Sequence, residues 1–176
     1  MHGYQEICTD KYSLTERYGI DKLTSKRLTR EFNESAAIGY LEPLRDSVYY
    51  VNLIYREFGF KLGVITSLST NPWAIKAREQ NLRELFGDAI EFVQCLDTGA
   101  DKDLALSEYK DSGLMWIEDK PKNAELGVEF GLESIIFDHE YNRQPISGTK
   151  RIKTWKELYR LCTLLSKQCK VELLSL

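Results

Sequence analysis

Two adjacent acids, Glu118 and Asp119, end a short apolar run at residues 114–117 (LMWI). Such a run is typical of a buried strand, and successive side chains of a strand point to opposite faces. One carboxylate can therefore face a cleft at the strand end. A carboxylate there suits Mg²⁺, which binds few protein oxygens and keeps waters and substrate phosphates. The alternative is that Asp119 caps the helix predicted to begin at Pro121.

Two hydroxyl side chains end another apolar run. Thr66 and Ser67 close residues 61–67 (KLGVITS), just before a helix predicted to begin near Pro72. Hydroxyls and backbone N–H groups at a helix N-terminus can bind a phosphoryl oxygen. The alternative is that residues 69–71 do no more than cap that helix.

Lys102 follows a third apolar run, residues 90–96 (IEFVQCL), at the start of a short predicted helix. A helix N-terminus favours negative charge, so a lysine is poorly placed there. Pairing with carboxylates and a phosphate would explain its position. The alternative is an ordinary solvated lysine. His139, after a fourth run, is interpreted as a polar loop residue rather than a metal or catalytic one.

The elements that position these residues alternate along the chain. Predicted strands cover residues 61–67, 90–96, 114–117 and 134–137, and predicted helices cover residues 43–58, 72–86, 102–109 and 121–130. Short apolar strands separated by helices predict an α/β fold with a doubly wound, Rossmann-like parallel sheet. Ligands bind such sheets at the carboxyl ends of the strands, where the polar residues above are expected to meet.

The two ends of the chain differ from this pattern. Residues 1–37 are polar and helical in pattern and form a small cap-like segment, whereas residues 38–176 form the core. Residues 153–169 predict an amphipathic helix, and residues 171–176 (VELLSL) either add an edge strand or trail from it. The four cysteines lack CxxC spacing and are interpreted as reduced thiols. Cys162 and Cys169 share one helix face and are expected to pack in the core.

The composition is typical of one class of protein and argues against two kinds of partner, nucleic acids and membranes. Hydrophobic residues make up 43% and charged residues 29%, values typical of a soluble globular protein. A net charge of -3 without an extended basic stripe gives no surface for a nucleic-acid backbone, although a small phosphorylated molecule remains a candidate ligand. The apolar runs are too short to cross a bilayer, so a cytoplasmic location is predicted.

Taken in order, the strand ending in Thr66-Ser67, the Lys102 at a later helix start and the strand ending in Glu118-Asp119 resemble motifs two, three and four of the haloacid dehalogenase-like (HAD) phosphohydrolase superfamily. The stretch WIEDKPKNAELGVEFGLESIIFDHEYN is similar to the fourth-motif region of small nucleotidase-like members, including its closing Tyr-Asn pair. The resemblance covers residues 38–143, and residues 1–35 look like the helical cap of those proteins.

This resemblance implies roles for individual residues. Ser67, with Thr66 beside it, would bind the phosphoryl group, and Lys102 would steady the nucleophile and the phosphoryl oxygens. Asp119 would hold Mg²⁺, with Glu118 as a helper. The implied reaction is in-line attack of an Asp carboxylate on a phosphomonoester, followed by hydrolysis of the aspartyl-phosphate. The implied substrate is a small phosphorylated molecule, with a nucleotide as one candidate.

The chain departs from the family in its first motif, an apolar strand that ends in Asp-x-Asp. Asp101-Lys102-Asp103 has the spacing but follows a turn, and Asp138-His139-Glu140 follows a strand but lacks the second Asp. In this family the missing strand is central, between those that here end at Ser67 and Asp119. Its place is expected to be taken by residues 171–176, by a strand of a second copy, or by a rearranged strand order.

Three functions remain open from the sequence. The first is a Mg²⁺-dependent, nucleotidase-type phosphatase, whose sequence here begins at an internal methionine and omits the nucleophile. The second is a catalytically inactive HAD-like protein that binds a ligand or another protein. The third is a distinct Rossmann-like domain with chance motif matches. Exposed sheet edges also make a homodimer an expectation.

Overall fold

The computed structural model describes residues 3–174, with side chains described for residues 3–166. It is an α/β structure in which every strand pairing is parallel, as predicted. The strands form two separate sheets rather than one. The first sheet pairs β1 (Leu62–Ser67) with β2 (Ile90–Leu96), and the second has the order β3 (Met115–Glu118), β4 (Glu133–Phe137) and β5 (Lys150–Ile152).

Seven α-helices accompany these strands in the described chain: α1 (Leu14–Tyr18), α2 (Lys22–Asn33), α3 (Ser47–Phe58), α4 (Pro72–Phe86), α5 (Asp103–Ser107), α6 (Pro121–Glu129) and α7 (Trp155–Leu174). The four predicted helices of the core are confirmed to within a few residues at each end. The largest difference is at α3, which begins at Ser47 rather than Pro43. Arg45 has a φ of 53°, a left-handed backbone that interrupts a right-handed helix.

Local sequence features explain how α4 begins and ends and how closely α6 approaches β3. Asn71 caps α4 by accepting a 2.9 Å hydrogen bond from the N–H of Trp73, and Gly87 follows the last turn. In α6, a Cβ on Gly127 would lie 2.5 Å from the Trp116 ring. Glycine therefore lets α6 lie close against β3.

Helices cover both faces of the two sheets. On one face α3 contacts both sheets, because its Val51 packs with Ile90 of β2 while its Ile54 packs with Ile135 of β4. On the other face a cluster including Ile65 of β1 and Leu126 of α6 also includes Trp116. The two sheets therefore belong to one α/β layer.

The layer is broken between β1 and β3, which do not pair with each other. A rearranged order that joins them is therefore wrong. Residues 171–174 continue α7 and form no strand, while residues 175–176 lie outside the described chain. No Gly or Pro interrupts residues 153–174, so the helical pattern continues. A strand from a second copy stays a prediction.

The amino-terminal segment is helical from Leu14 onward, whereas residues 3–13 have no regular structure beyond turns and bends. It lies against the carboxyl ends of the strands. Asn33 donates a 2.7 Å hydrogen bond to the carbonyl of Leu68, just after β1, and Tyr12 packs edge-on against Tyr141, beyond β4. The segment therefore covers the edge where ligands of parallel sheets bind.

Two further predictions concern cysteines and membranes. Cys8, Cys95 and Cys162 are free thiols, and Cys162 is buried beside α3 and β4, whereas the side chain of Cys169 lies outside the described part. Throughout the described chain, no helix combines the length and the apolar character needed to cross a membrane.

Candidate functional site

The loop after β2 joins the carboxyl ends of both sheets. Ser67, the last residue of β1, donates a 2.7 Å hydrogen bond from its hydroxyl to the carbonyl of Ala100 in this loop. Two residues further on, Lys102 bonds to Glu118, the last residue of β3. Three of the residues singled out from the sequence are therefore linked at one edge of the layer.

Lys102 and Glu118 form a largely buried ion pair, with side chains 14% and 6% exposed. The Lys102 Nζ atom bonds to Oε1 of Glu118 and lies 5.1 Å from the centroid of the Trp116 ring. Asn123 donates a 3.0 Å hydrogen bond to the same carboxylate oxygen. The carboxylate and the ring face offset the unfavourable position of a lysine at the start of a helix.

Glu118, rather than Asp119, shapes the turn into α6. Its Oε2 atom accepts hydrogen bonds from the N–H groups of Asp119 and Lys120, at 3.2 and 3.5 Å. The residue at the cap position of α6 is Lys120, and no side chain caps this helix. The alternative in which Asp119 caps α6 is therefore wrong.

Asp119 is fixed by two residues that come after β4. Its Oδ2 atom accepts a 2.6 Å hydrogen bond from the hydroxyl of Tyr141, and its backbone carbonyl accepts one of 2.7 Å from the amide of Asn142. The same amide also donates to the carbonyl of Phe137 at 2.7 Å, so Asn142 ties the ends of β3 and β4 together. The side-chain oxygen of Asn142 accepts hydrogen bonds from the backbone N–H of His139 and from the guanidinium group of Arg151.

Asp119 can supply one direct protein ligand for Mg²⁺. The Oδ1 atom of Asp119 accepts no hydrogen bond from the described residues, whereas both oxygens of Glu118 are engaged. Among the described residues, no group of three His, Cys, Asp or Glu side chains could enclose a metal. Mg²⁺ retains several waters and is often held by one carboxylate and a substrate phosphate, which is what Asp119 can offer.

The polar residues at the end of β1 and just beyond it form two groups, one in the strand and one at the start of α4. Thr66 points to the opposite face of β1 from Ser67, because successive side chains of a strand alternate. Ser69 and Asn71 organise the start of α4: the N–H of Asn71 donates to Ser69 Oγ at 3.0 Å, and Asn71 caps the helix. The capping interpretation of residues 69–71 is confirmed, and Ser67 is the hydroxyl on the side of Lys102.

An aromatic stack lies beside Asp119, which Tyr141 contacts through its hydroxyl. The rings of His139 and Tyr141 are parallel with centroids 5.0 Å apart, and Tyr12 meets Tyr141 edge-on at 5.3 Å. Burial, followed by the negative charges of Asp119 and Glu118, raises the pKa of Tyr12 to about 12. Burial and the hydrogen bond to Asp119 also raise the pKa of Tyr141. Burial lowers the pKa of His139, and Arg45 lowers it further, against the opposing effect of Asp119.

These tyrosines predict how the protein responds to alkaline pH. Tyr12 and Tyr141 should be the last phenols to ionise as pH rises above about 10, the ordinary tyrosine pKa. The folded chain then holds protons that the unfolded chain releases, so the free energy of unfolding should fall with rising pH above about 10. In Tyr141→Phe this fall should be smaller. Absorbance at 295 nm during titration, with urea unfolding at each pH, measures both effects.

Tyr40, which is 84% exposed, provides the control. Tyr40→Phe removes a phenol from the surface and should leave the alkaline fall in the free energy of unfolding as large as in the unsubstituted chain. If Tyr141→Phe removed an early-titrating phenol instead, the burial of Tyr141 against Asp119 would be contradicted.

A groove of about 280 Å³ lies beside this stack at the carboxyl end of β4. Its lining combines three cations with two acids and a histidine: Arg45, Asp138, His139, Glu140, Arg143 and Lys153. Arg45 crosses the groove and donates to the backbone carbonyls of Asp138 and Lys153. The groove is therefore polar and carries a small excess of positive charge next to Asp119.

Tyr12, Tyr141 and Asn142 are site residues that sequence reasoning did not assign. The available signal was the Tyr-Asn pair that closes the fourth-motif stretch, which by itself implied no role. A single tyrosine or asparagine after a strand resembles any other polar loop residue. The contacts of Tyr141 and Asn142 with Asp119 span more than 20 positions of sequence and have no local pattern.

No protein-family model matches this chain, and no curated protein matches it either. Membership of the HAD superfamily therefore stays a prediction, carried by the motif residues and by their arrangement at one edge of the α/β layer.

Proposed function

We propose that this chain carries a HAD-like site for phosphomonoesters. Mg²⁺ and a small phosphorylated molecule bind there, at the carboxyl ends of β1 and β3. The observation that carries the proposal is the Lys102–Glu118 ion pair, which fixes a lysine at the end of β3, next to Asp119 in sequence and two residues after the carbonyl that Ser67 contacts. A lysine on the protein surface would have no comparable fixed position. The hydrolase chemistry is what the resemblance to the HAD superfamily implies.

Lys102 has capacity for a further acceptor. An ammonium group has three N–H donors, and among the described residues Lys102 donates to Glu118 alone. A phosphoryl oxygen would accept one of the remaining donors in a charge-assisted hydrogen bond. Ser67 would join it by turning its hydroxyl from the carbonyl of Ala100 to the same phosphoryl group.

Asp119 is the residue that would hold Mg²⁺, through the Oδ1 atom that the described residues leave open. Tyr141 and Asn142 would keep the carboxylate in position, and the aromatic stack would keep bulk water from it. When bound, Mg²⁺ supplies charge neutralisation for a phosphoryl group. Glu118 acts as the counter-ion of Lys102 in this proposal, rather than as a direct ligand.

A second candidate function, binding without turnover, is favoured by the surroundings of the remaining acids. The two acidic segments with some likeness to the first motif are engaged elsewhere. Asp101 pairs with Lys122 at 2.6 Å on the surface, and Asp138 pairs with Arg151 at 3.1 Å. Neither carboxylate accepts a hydrogen bond from Ser67 or Lys102, so the 176 residues alone are expected to bind a phosphate and not to hydrolyse its esters.

Calorimetric titration with orthophosphate, in the presence and absence of Mg²⁺, tests the site. Asp119→Asn should weaken Mg²⁺-dependent phosphate binding at least tenfold, which corresponds to about 1.4 kcal/mol. Ser67→Ala should weaken phosphate binding with or without Mg²⁺. Asp101→Asn removes one negative charge from the same edge and serves as the matched control, with an expected change below about twofold. No binding, or equal losses in Asp119→Asn and Asp101→Asn, would reject the site.

Assays with a panel of phosphomonoesters and Mg²⁺ then separate the two functions. The expected result is no turnover that depends on Asp119. Turnover that disappears in Asp119→Asn would show that a nucleophile lies within the 176 residues, and it would exclude the inactive binding protein.

A further inference from the structure

We propose that the polar groove at the carboxyl end of β4 binds an anionic group, which is the second anion of the phosphorylated ligand assigned to Asp119. The ligand class is then a phosphomonoester that carries a further phosphate or carboxylate. This inference rests on the proposed phosphate site for the first anion. The residues and contacts of the groove itself carry it for the second.

The groove holds more positive charge than its acids balance. Three cations and two acids line it: Arg45, Arg143, Lys153, Asp138 and Glu140. Arg151, which is not part of the lining, forms an ion pair with Asp138 at 3.1 Å. Among the described residues, three cations therefore accompany one acid that has no cationic partner, Glu140. Unbalanced positive charge in a concave site raises the local concentration of anions.

None of the three cations is used in an ion pair with the described residues. Arg143 and Lys153 are exposed, and within the described part of the chain their side chains make no hydrogen bond. Arg151 differs, because its guanidinium group bonds to Asp138, to the side-chain oxygen of Asn142 and to two backbone carbonyls. Arg151 therefore has a structural role, whereas the groove cations keep their donors for a ligand.

Arg45 is held in a fixed position across the groove. One terminal nitrogen donates to the backbone carbonyl of Lys153, and the other donates to that of Asp138 at 3.1 Å. The guanidinium carbon lies 5.7 Å from the centroid of the Phe137 ring. A guanidinium group has five N–H donors, and two in use leave three. A fixed planar group with spare donors suits a carboxylate or a phosphate.

The backbone of Arg45 supports a role in binding. Its φ of 53° lies in the left-handed region, which glycine, asparagine and aspartate adopt more readily than arginine does. Residues in such conformations cluster at ligand sites, where the surrounding structure holds them. The unfavourable conformation is thus found at the residue whose side chain crosses the groove.

Two helices begin directly after groove residues. α3 begins at Ser47, two residues after Arg45, and α7 begins two residues after Lys153. The carboxylate of Asp46 accepts hydrogen bonds from two backbone N–H groups at the start of α7, and no side chain caps α3. The positive ends of both helix dipoles therefore add to the charge of the cations.

A short path joins the groove to Asp119. His139 lines the groove, and its ring stacks on that of Tyr141 with centroids 5.0 Å apart. The hydroxyl of Tyr141 donates to Asp119 at 2.6 Å. One ring stack and one hydrogen bond thus connect the groove to the carboxylate that would hold Mg²⁺. The two ends of one small molecule can reach both sites.

The probes are three phosphate esters of the same six-carbon chain, which ends in a methyl group, a second phosphate or a carboxylate. The same end groups on chains of three and nine carbons cover shorter and longer separations. Calorimetric titration with Mg²⁺ measures each probe against the full 176-residue chain. At one of these lengths, an ester with a second anion should bind at least about tenfold more tightly than its methyl-ended counterpart. The better of the two anions then identifies the ligand class.

Arg143→Gln combined with Lys153→Gln tests the groove. Because both side chains are exposed and unpaired in the described chain, the fold should persist. The preference for a second anion should fall below about threefold, while the methyl-ended ester binds as before. Arg56→Gln combined with Lys110→Gln is the matched control. It removes the same two charges at the opposite edge of the layer, before β1 and before β3, and should keep the preference.

Two results would overturn the groove as an anion site. One is equal affinity for methyl-ended and doubly anionic esters at every length in the unsubstituted chain. The other is an equal loss of preference in the groove variant and in the control variant, because net charge alone would then explain it.

Asp119→Asn separates this inference from the proposed function. If it weakens binding of the methyl-ended ester and the groove variant leaves the preference intact, the groove is rejected and the phosphate site stands. If it leaves the methyl-ended ester unaffected and the groove variant still abolishes the preference, the groove stands as an anion site and the Mg²⁺ site is rejected. Absence of binding for every ester would reject both.

Discussion

Replacing Lys102 by methionine is expected to destabilise the fold by about 3 kcal/mol, because it leaves the carboxylate of Glu118 buried without its counter-ion. Glu118 is 6% exposed and cannot turn to solvent without opening the start of α6. Asn123 would remain as its main side-chain donor, but a neutral amide does not balance the charge. Urea unfolding followed by circular dichroism measures the loss.

The double variant Lys102→Met with Glu118→Leu separates the buried charge from lost packing. Removing both charges should recover much of the stability, because a buried ion pair often contributes little more than an apolar pair of similar volume. Lys122→Met removes a lysine from the exposed pair with Asp101 and should leave the unfolding midpoint unchanged. Equal losses in Lys102→Met and Lys122→Met would contradict the buried pair.

Asn142→Leu is expected to reduce the free energy of unfolding by about 3 kcal/mol, through the loss of donors to buried carbonyl groups. Asn142 is 1% exposed, and its amide donates to the carbonyls of Asp119 and Phe137. Leucine has the same number of side-chain heavy atoms in the same branched arrangement, so no cavity forms, and the loss reports the hydrogen bonds together with the greater bulk of the methyl groups. The same urea experiment measures it.

Asn52→Leu is the matched control for this substitution. Asn52 is partly buried, and its amide donates to a single carbonyl, that of Val48 within the same helix. The effect should be clearly smaller than that of Asn142→Leu, because one hydrogen bond is lost instead of a network that joins two strand ends. If the two losses were equal, Asn142 would not be the link between β3 and β4.

Both predictions concern the supports of the candidate site. Lys102 connects the two sheets through Glu118, and Asn142 connects β3 with β4 beneath Asp119. A loss of phosphate binding in either variant would therefore combine local and global effects. Asp119→Asn, which keeps the shape of the side chain, is the cleaner probe of ligand binding.

Local sequence signals determined most of the helices and strands. Pro72 and Asn71 begin α4 and Gly87 ends it, as their neighbours along the chain suggest. The apolar runs form β1 to β4 because a short, continuous apolar run is typical of a parallel strand that helices cover on both faces. β5 was missed because Lys150–Ile152 is three residues long and carries two cations. Its pairing with β4 creates it, and pairing is not a local signal.

Tertiary structure alone decided the role of each acid at the end of β3. The sequence placed Glu118 and Asp119 together and left a metal ligand and a helix cap as alternatives for Asp119. Lys102, 16 positions before Glu118, forms an ion pair with it. Tyr141, 22 positions after Asp119, donates a hydrogen bond to that carboxylate. Contacts over such separations depend on how strand ends converge, which no window of sequence contains.

The resemblance to the HAD superfamily implied a missing strand, but not how the rest of the layer would accommodate its absence. The sequence left open whether β1 and β3 would close together or whether the tail would fill the gap. α3 contacts both sheets on one face, and the helices after β2 and β3 join both on the other, while β1 and β3 are not paired with each other. The residues thus determined the elements, and the packing of helices across both sheets decided that the strands form two sheets in one layer, because such contacts join residues far apart in sequence.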